Sequence, residues 1–313
     1  MKLGVSYGSY LFTSGFVSDV GPSHKHATLG LPMRYYEPRP DRPLRWFIQK
    51  QAEYREKYFV RGISLSLPLP DFQDQAIVKE TVDLLKKNEL EVPLYKIELD
   101  YQASPHGYLS TEQEFSPCMN ALRKQMEMAE HLNSKLLGID LPGRVLNRYR
   151  KDITLEKQLE RLSENLKHIF KLAKSFKIDG ILLTNHAGYK SKDILNLVNR
   201  IRDDTLGVNF SVANPLLNLE DPIDAARELG PLIRMVTLND LKVIGTTYYG
   251  CRILGVWLGK GSVDLPGLLF YLREKTAGTH GFGLIETTPL EGSEDRAVVE
   301  SLKYMTENFH GYL

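Results

Sequence analysis

Five titratable residues, Glu98, Asp140, His186, Asp240 and Glu286, stand at or just beyond the ends of short apolar runs. Carboxylates and an imidazole placed this way can pass protons to and from a bound molecule, or hold a cation. Glu286 is the leading candidate. The run before it, Gly283-Leu-Ile, is wholly apolar, and a carboxylate in such surroundings is either paired or functional. His186 and Asp140 are the candidate partners in a proton shuttle built on Glu286. Arg144, Lys242 and Asn214 are donors that could steady an enolate oxygen. With Glu98, Asn185 and Asp240 they form the set expected to bind the hydroxyls of a small ligand. Each of these residues also has an ordinary structural use, as a loop cap or a surface group.

Such residues act together only if the elements carrying them converge, and the sequence predicts that they do. Short apolar runs alternate with stretches of helical period. The predicted strands are Lys2 to Ser6, Gly62-Ile-Ser-Leu-Ser-Leu, Val92-Pro-Leu-Tyr-Lys-Ile-Glu-Leu, Lys135-Leu-Leu-Gly-Ile-Asp, Asp179-Gly-Ile-Leu-Leu-Thr-Asn-His, Gly207-Val-Asn-Phe-Ser-Val, Ile233-Arg-Met-Val-Thr-Leu and Gly283-Leu-Ile-Glu. Helices are expected between them, at 44–58, 75–88, 116–133, 155–176, 191–202, 221–229 and 265–275, and a last one at 293–309. Eight strand–helix units without a break in composition predict one (β/α)8 TIM barrel over 1–313, with 20–44 as an inserted loop rich in Gly, Pro, His and Arg. In that fold the functional groups lie on the loops that follow the strands. Those exits offer Ser6, Tyr7, Ser66, Glu98, Asp100, Asp140, Arg144, Thr184, Asn185, His186, Ser211, Asn214, Thr237, Asn239, Asp240, Lys242, Glu286 and Thr287.

Whole-chain properties narrow the partners. Lys+Arg is 40 against Asp+Glu 39, so no global field attracts nucleic acid or an anionic membrane. No run reaches the about 18 apolar residues of a membrane span, and Met1-Lys-Leu-Gly-Val-Ser reads as a strand, not a signal peptide. Cys118 and Cys251 form no C-x-x-C pair and read as ordinary thiols of a reducing compartment, so a cytoplasmic location is expected. A homo-oligomer stays open, with Tyr35 and Tyr36 of the excursion and Trp46 just after it suited to an interface or a lid.

Four segments carry a resemblance: Phe210-Ser-Val-Ala-Asn-Pro-Leu-Leu-Asn-Leu-Glu-Asp-Pro, Ile233-Arg-Met-Val-Thr-Leu-Asn-Asp, Leu258-Gly-Lys-Gly-Ser-Val-Asp and Gly281-Phe-Gly-Leu-Ile-Glu. In order and spacing they resemble the xylose isomerase-like sugar phosphate isomerase/epimerase family, and Ala129-Glu-His-Leu-Asn-Ser-Lys-Leu-Leu-Gly-Ile is compatible with it. The resemblance implies a carbohydrate or sugar phosphate as ligand. It also implies one divalent ion (Mn, Mg, Co or Zn) held by a Glu, an Asp, a His and a Glu at the ends of strands five to eight. Thr184, Ser211 and Thr237 stand at the first three of those positions, and only Glu286 matches. Neutral hydroxyls are weak ligands, so a degenerate metal site and no metal cofactor are expected. The exception would be a rearranged set of His186, Asp240 and Glu286. Two functions follow: a carbohydrate-binding barrel that has lost catalysis, or a metal-independent (or rearranged-metal) isomerase or epimerase using Glu286 for proton transfer. An apurinic endonuclease of the same superfamily fits poorly, because no strand end supplies a cluster of His and acidic ligands.

Overall fold

Apolar runs of four to seven residues are too short for stable helices and are rich in Ile, Leu and Val, so they pair as buried parallel strands. The strands are β1 (Lys2–Ser6), β2 (Val60–Ser66), β3 (Glu91–Lys96), β4 (Leu136–Asp140), β5 (Gly180–Thr184), β6 (Leu206–Ser211), β7 (Ile233–Leu238) and β8 (Phe282–Ile285). Each pairs in parallel with the next, and β1 pairs with both β2 and β8, which closes the ring. This computed structural model describes residues 1–10, 34–35, 42–66, 75–99, 107–141, 148–246, 250–275, 281–288 and 291–312.

A helix follows each strand: α1 (Pro43–Tyr58), α2 (Gln75–Lys87), α3 (Cys118–His131), α4 (Leu155–Ala173), α5 (Ser191–Ile201), α6 (Pro222–Leu229), α7 (Leu265–Lys275) and α8 (Glu294–Asn308). The chain is therefore a (β/α)8 barrel, as the alternation predicts. In α4 the Thr154 hydroxyl accepts from Lys157 N–H, and Leu159, Leu162, Leu166, Ile169 and Phe170 form one buried stripe. Asp221 caps α6 through the N–H groups of Ile223 and Asp224, with Pro222 at the first helical position.

Residues facing the barrel axis fall in layers. The middle is apolar: Leu94, Leu182, Met235, Phe282 and Leu284 pack together, with Leu136 at their edge. Gly62 makes room for this layer, since a Cβ there would lie 2.5 Å from the Phe282 ring. Above it the same alternation presents polar residues to the mouth: Ser6, Lys96, Asp140, Thr184, Asn209, Ser211, Thr237 and Glu286.

Two boundaries differ from the sequence reading in ways that matter. β3 ends at Lys96, not Leu99, so the residue at its mouth end is Lys96 and Glu98 lies beyond it. After β7 the chain forms an antiparallel hairpin, Asp240–Gly245 with Cys251–Val256, which the alternation did not predict. Of the 20–44 excursion, only 34–35 and 42–44 lie among the described residues. Arg34–Tyr35 pairs in parallel with Glu291–Gly292, and Pro43 and Leu44 open α1. Among the described residues no helix is long and apolar enough to cross a membrane.

Candidate functional site at the barrel mouth

Glu286 follows β8 directly, and its N–H still donates to the Leu238 carbonyl, so the strand's register fixes it. The next peptide is tied down as well. Thr287 N–H donates to Ser9 Oγ, which itself donates to the Ile285 carbonyl. Among the described residues the Glu286 carboxylate is held at one oxygen only. Oε2 accepts from Ser6 Oγ at 2.6 Å and from Lys96 Nζ at 2.9 Å. No described residue takes Oε1.

Lys96 is the residue that sequence reasoning missed. It faces the axis on the same side of β3 as Leu94, with only 9% of its side chain exposed. Its stem runs over Gly138, where a Cβ would come within 3.1 Å of Lys96 Cγ. Its ammonium reaches Glu286 and also Asp140 Oδ2, at 3.4 Å. Burial alone would pull the lysine's pKa down, but the two carboxylates outweigh it and hold it above its ordinary value.

Asp140 keeps 44% of its side-chain exposure, yet protein crowds it. That crowding pushes its carboxyl up. Lys96 and His186 oppose the push, as does a hydrogen bond from Thr184, and the balance lies below the ordinary value. Thr184 Oγ1 accepts from Asn209 Nδ2 at 3.2 Å, and Asn209 Oδ1 accepts from Thr237 Oγ1 at 3.1 Å. Thr237, Asn209 and Thr184 thus donate in turn toward Asp140, while Lys96 donates to both Asp140 and Glu286 and Ser6 donates to Glu286, so a continuous chain of hydrogen bonds crosses seven of the eight strands.

His186 overlooks this chain from the β5 exit. Its carbonyl accepts from Asn218 Nδ2, and the same asparagine accepts from Gly188 N–H, which fixes the turn. Nδ1 accepts the Ala187 N–H at 2.9 Å, so the neutral ring carries its proton on Nε2, a tautomer assigned from the hydrogen bonding. Burial lowers the imidazole pKa; Asp140 and Glu286 push the other way, and Lys96 adds to the lowering. At neutral pH the ring is an uncharged donor. A base whose folded pKa is depressed contributes stability that is complete above the unfolded value of about 6.5 and is lost as pH falls through the folded value. Asp140 acts in the same sense at lower pH. In a proton NMR titration, the Hε1 signal that disappears in His186→Gln is therefore expected to move at a pH below that of an exposed histidine.

A family model for the xylose isomerase-like TIM barrel matches residues 59–308. The chain belongs to that family. No curated protein matches it in sequence. Among solved structures, it is similar to a xylose isomerase domain protein from Planctomyces limnophilus, with TM-score 0.64 and 17% identity over 82% of this chain and 90% of that one. It is also similar to the IOLI protein with a bound zinc atom, with TM-score 0.66 and 14% identity over 100% and 99% of the two chains. A third is D-psicose 3-epimerase with D-tagatose from Clostridium cellulolyticum, with TM-score 0.65 and 13% identity over 98% and 99%. At these identities the structures speak for the fold.

Within this family barrel, the candidate residues divide. Glu286, Asp140 and His186 come together around Lys96. Asn185, expected to bind ligand, is instead turned into the neighbouring backbone: its Nδ2 donates to the Ser211 carbonyl and its Oδ1 accepts from Ser211 N–H. Asn214 donates to the Asn185 carbonyl and accepts from Asn239. These asparagines join the exits of β5, β6 and β7. Asp240, the other acidic residue expected to bind ligand, is committed elsewhere. Its buried carboxylate accepts from the N–H groups of Leu241, Gly259, Gly261 and Val263 at 2.8 to 3.3 Å. Both of its oxygens, offered by the sequence to a rearranged ligand set with His186 and Glu286, are engaged by these backbone N–H groups. Lys242 is exposed on the hairpin. Glu98 is exposed beyond β3, with its peptide clamped by both ends of the Gln125 amide. Arg144 and Asp100 lie outside the described residues.

Proposed function

We propose that the barrel mouth binds a small carbohydrate-like molecule with a carbonyl beside a hydroxyl-bearing carbon, and that the protein is an isomerase or epimerase in which Glu286 moves the proton. The observation that carries this reading is the asymmetry of one carboxylate. Oε2 is anchored by Ser6 and Lys96, and Oε1, which no described residue engages, is left to act as the base. His186, neutral with Nε2–H unused among the described residues, is the group suited to donate to a ligand oxygen. D-psicose 3-epimerase, of similar fold, is a sugar epimerase, which supports the ligand class.

Charge favours an uncharged sugar over a phosphate ester. In the described part of the mouth, one ammonium is shared by two carboxylates, so a phosphate would meet more negative charge than positive. Saturation-transfer NMR with D-fructose, D-tagatose, dihydroxyacetone and fructose 6-phosphate tests this. Signal from at least one neutral ketose, stronger than from the phosphate ester, is expected. No signal from any of the four would count against a carbohydrate ligand.

The second reading, binding without turnover, draws on Thr184, Ser211 and Thr237, where the family resemblance implies two carboxylates and an imidazole. It predicts the same binding with no proton exchange.

A further inference from the structure

The site of a divalent ion, implied by the family resemblance, can be tested against the side chains present. Thr184, Ser211 and Thr237 offer only neutral oxygens, and the hydroxyls of Thr184 and Thr237 are engaged with Asn209. The fourth position, Glu286, already has an ammonium 2.9 Å from its carboxylate. A divalent ion there would exchange strong water ligands for weak ones and meet a like charge at close range. The donor set does not fit the ion.

We propose that Lys96 is the mouth's built-in cation and that the site works without a metal. The proposal rests on the isomerase or epimerase reading above and names the group that supplies its positive charge. Lys96 ends β3 on the axis, Gly138 leaves room for its stem, and its ammonium bridges Glu286 and Asp140. Among the described residues two of its three N–H groups serve those carboxylates and the third takes no partner, which leaves it for an oxygen of the ligand. When Glu286 Oε1 takes the proton from the carbon beside the carbonyl, the C–H electron pair forms the enolate double bond. The carbonyl pair moves onto oxygen, where the ammonium stabilises it. Glu286 then gives its proton to water. A proton taken from solvent by the same carbon on its opposite face completes an epimerisation. Delivery of a proton to the former carbonyl carbon, with the neighbouring hydroxyl proton passing to the enolate oxygen, completes an isomerisation; no reactant but exchangeable water protons is used.

The test uses EDTA-treated wild-type chain and Lys96→Met. Electron paramagnetic resonance of added Mn²⁺ should give the free-ion signal in the presence of the wild type, and melting should be the same in Mn²⁺ and in EDTA. Deuterium wash-in from heavy water into dihydroxyacetone and D-fructose should be insensitive to EDTA. It should fall about 100-fold in Lys96→Met, the size of effect seen when one preorganised oxyanion donor is lost. One Mn²⁺ bound per wild-type chain would overturn the proposal. So would a Lys96→Met rate within about threefold of wild type. If Lys96→Met does not fold, the wild-type Mn²⁺ titration still decides. If the wild type shows no wash-in, the isomerase reading fails on its own, and Mn²⁺ binding separately decides whether Lys96 excludes the ion.

Discussion

Glu286→Gln is expected to slow proton exchange at the carbon beside a ketose carbonyl by about 10³-fold, within the 10² to 10⁴ that a positioned general base contributes. The amide keeps the shape of the side chain, and its oxygen can still accept from Ser6 and Lys96, the partners of Oε2. What it loses is the basic lone pair at the Oε1 position. Asp140 remains as a counter-charge for Lys96, so the mouth keeps an ion pair and the fold is expected to hold. Ligand binding should therefore change much less than exchange, and the loss should appear in the maximal rate more than in the concentration dependence. Equal loss of binding and rate would recast Glu286 as a binding group.

Asp240→Ala is expected to be the most destabilising change among the candidate residues, by about 3 kcal/mol, since an orphaned buried N–H costs about 1–3 kcal/mol and here one buried and three part-buried N–H groups lose their acceptor together. Asp240 is 2% exposed, and its carboxylate gathers the chain from 259 to 263 back onto the base of the hairpin. Gly261 is part of the same fit, because a Cβ there would lie 1.9 Å from Asp240 Oδ1. Urea unfolding measures the loss as a lower midpoint. A ligand-binding role predicts the opposite pattern, with stability nearly unchanged and sugar affinity reduced.

The barrel was legible in the sequence because burial of parallel strands on both faces writes unbroken apolar runs, as in Gly180-Ile-Leu-Leu. Glu286 was legible for the same reason, as a charge at the end of such a run. Lys96 was not. The run Val92 to Leu99 passes through it without a break, which puts the expected strand end at Leu99, the exit at Glu98 and Asp100, and Lys96 in the interior. The clue was periodicity, since Leu94 and Lys96 share a face and a lysine on the axial face of a barrel strand needs a partner. That the partners are Glu286 and Asp140, 190 and 44 residues away in sequence, depends on closure of the barrel.

Asn185 and Asp240 show the converse. Their polarity at strand exits was plain, but whether a side chain faces a ligand or its own backbone depends on loop conformation. Asn185 meets Ser211, and Asp240 meets a turn that lies beyond the whole hairpin. The hairpin itself escaped because its arms, Asp240-Leu-Lys-Val and Cys251-Arg-Ile-Leu, mix polar and apolar residues and lie largely on the surface, so they write no buried apolar run.

On the proposed function, this mouth moves a proton beside a carbonyl with its own side chains. Deuterium incorporation from heavy water into D-fructose, D-tagatose and dihydroxyacetone, followed by proton NMR with EDTA-treated wild-type protein, tests it most directly. The account predicts loss of the signal from hydrogen on the carbon beside the carbonyl in at least one of the three, at a rate unchanged by added Mn²⁺. No incorporation into any of them, with or without the ion, would contradict it.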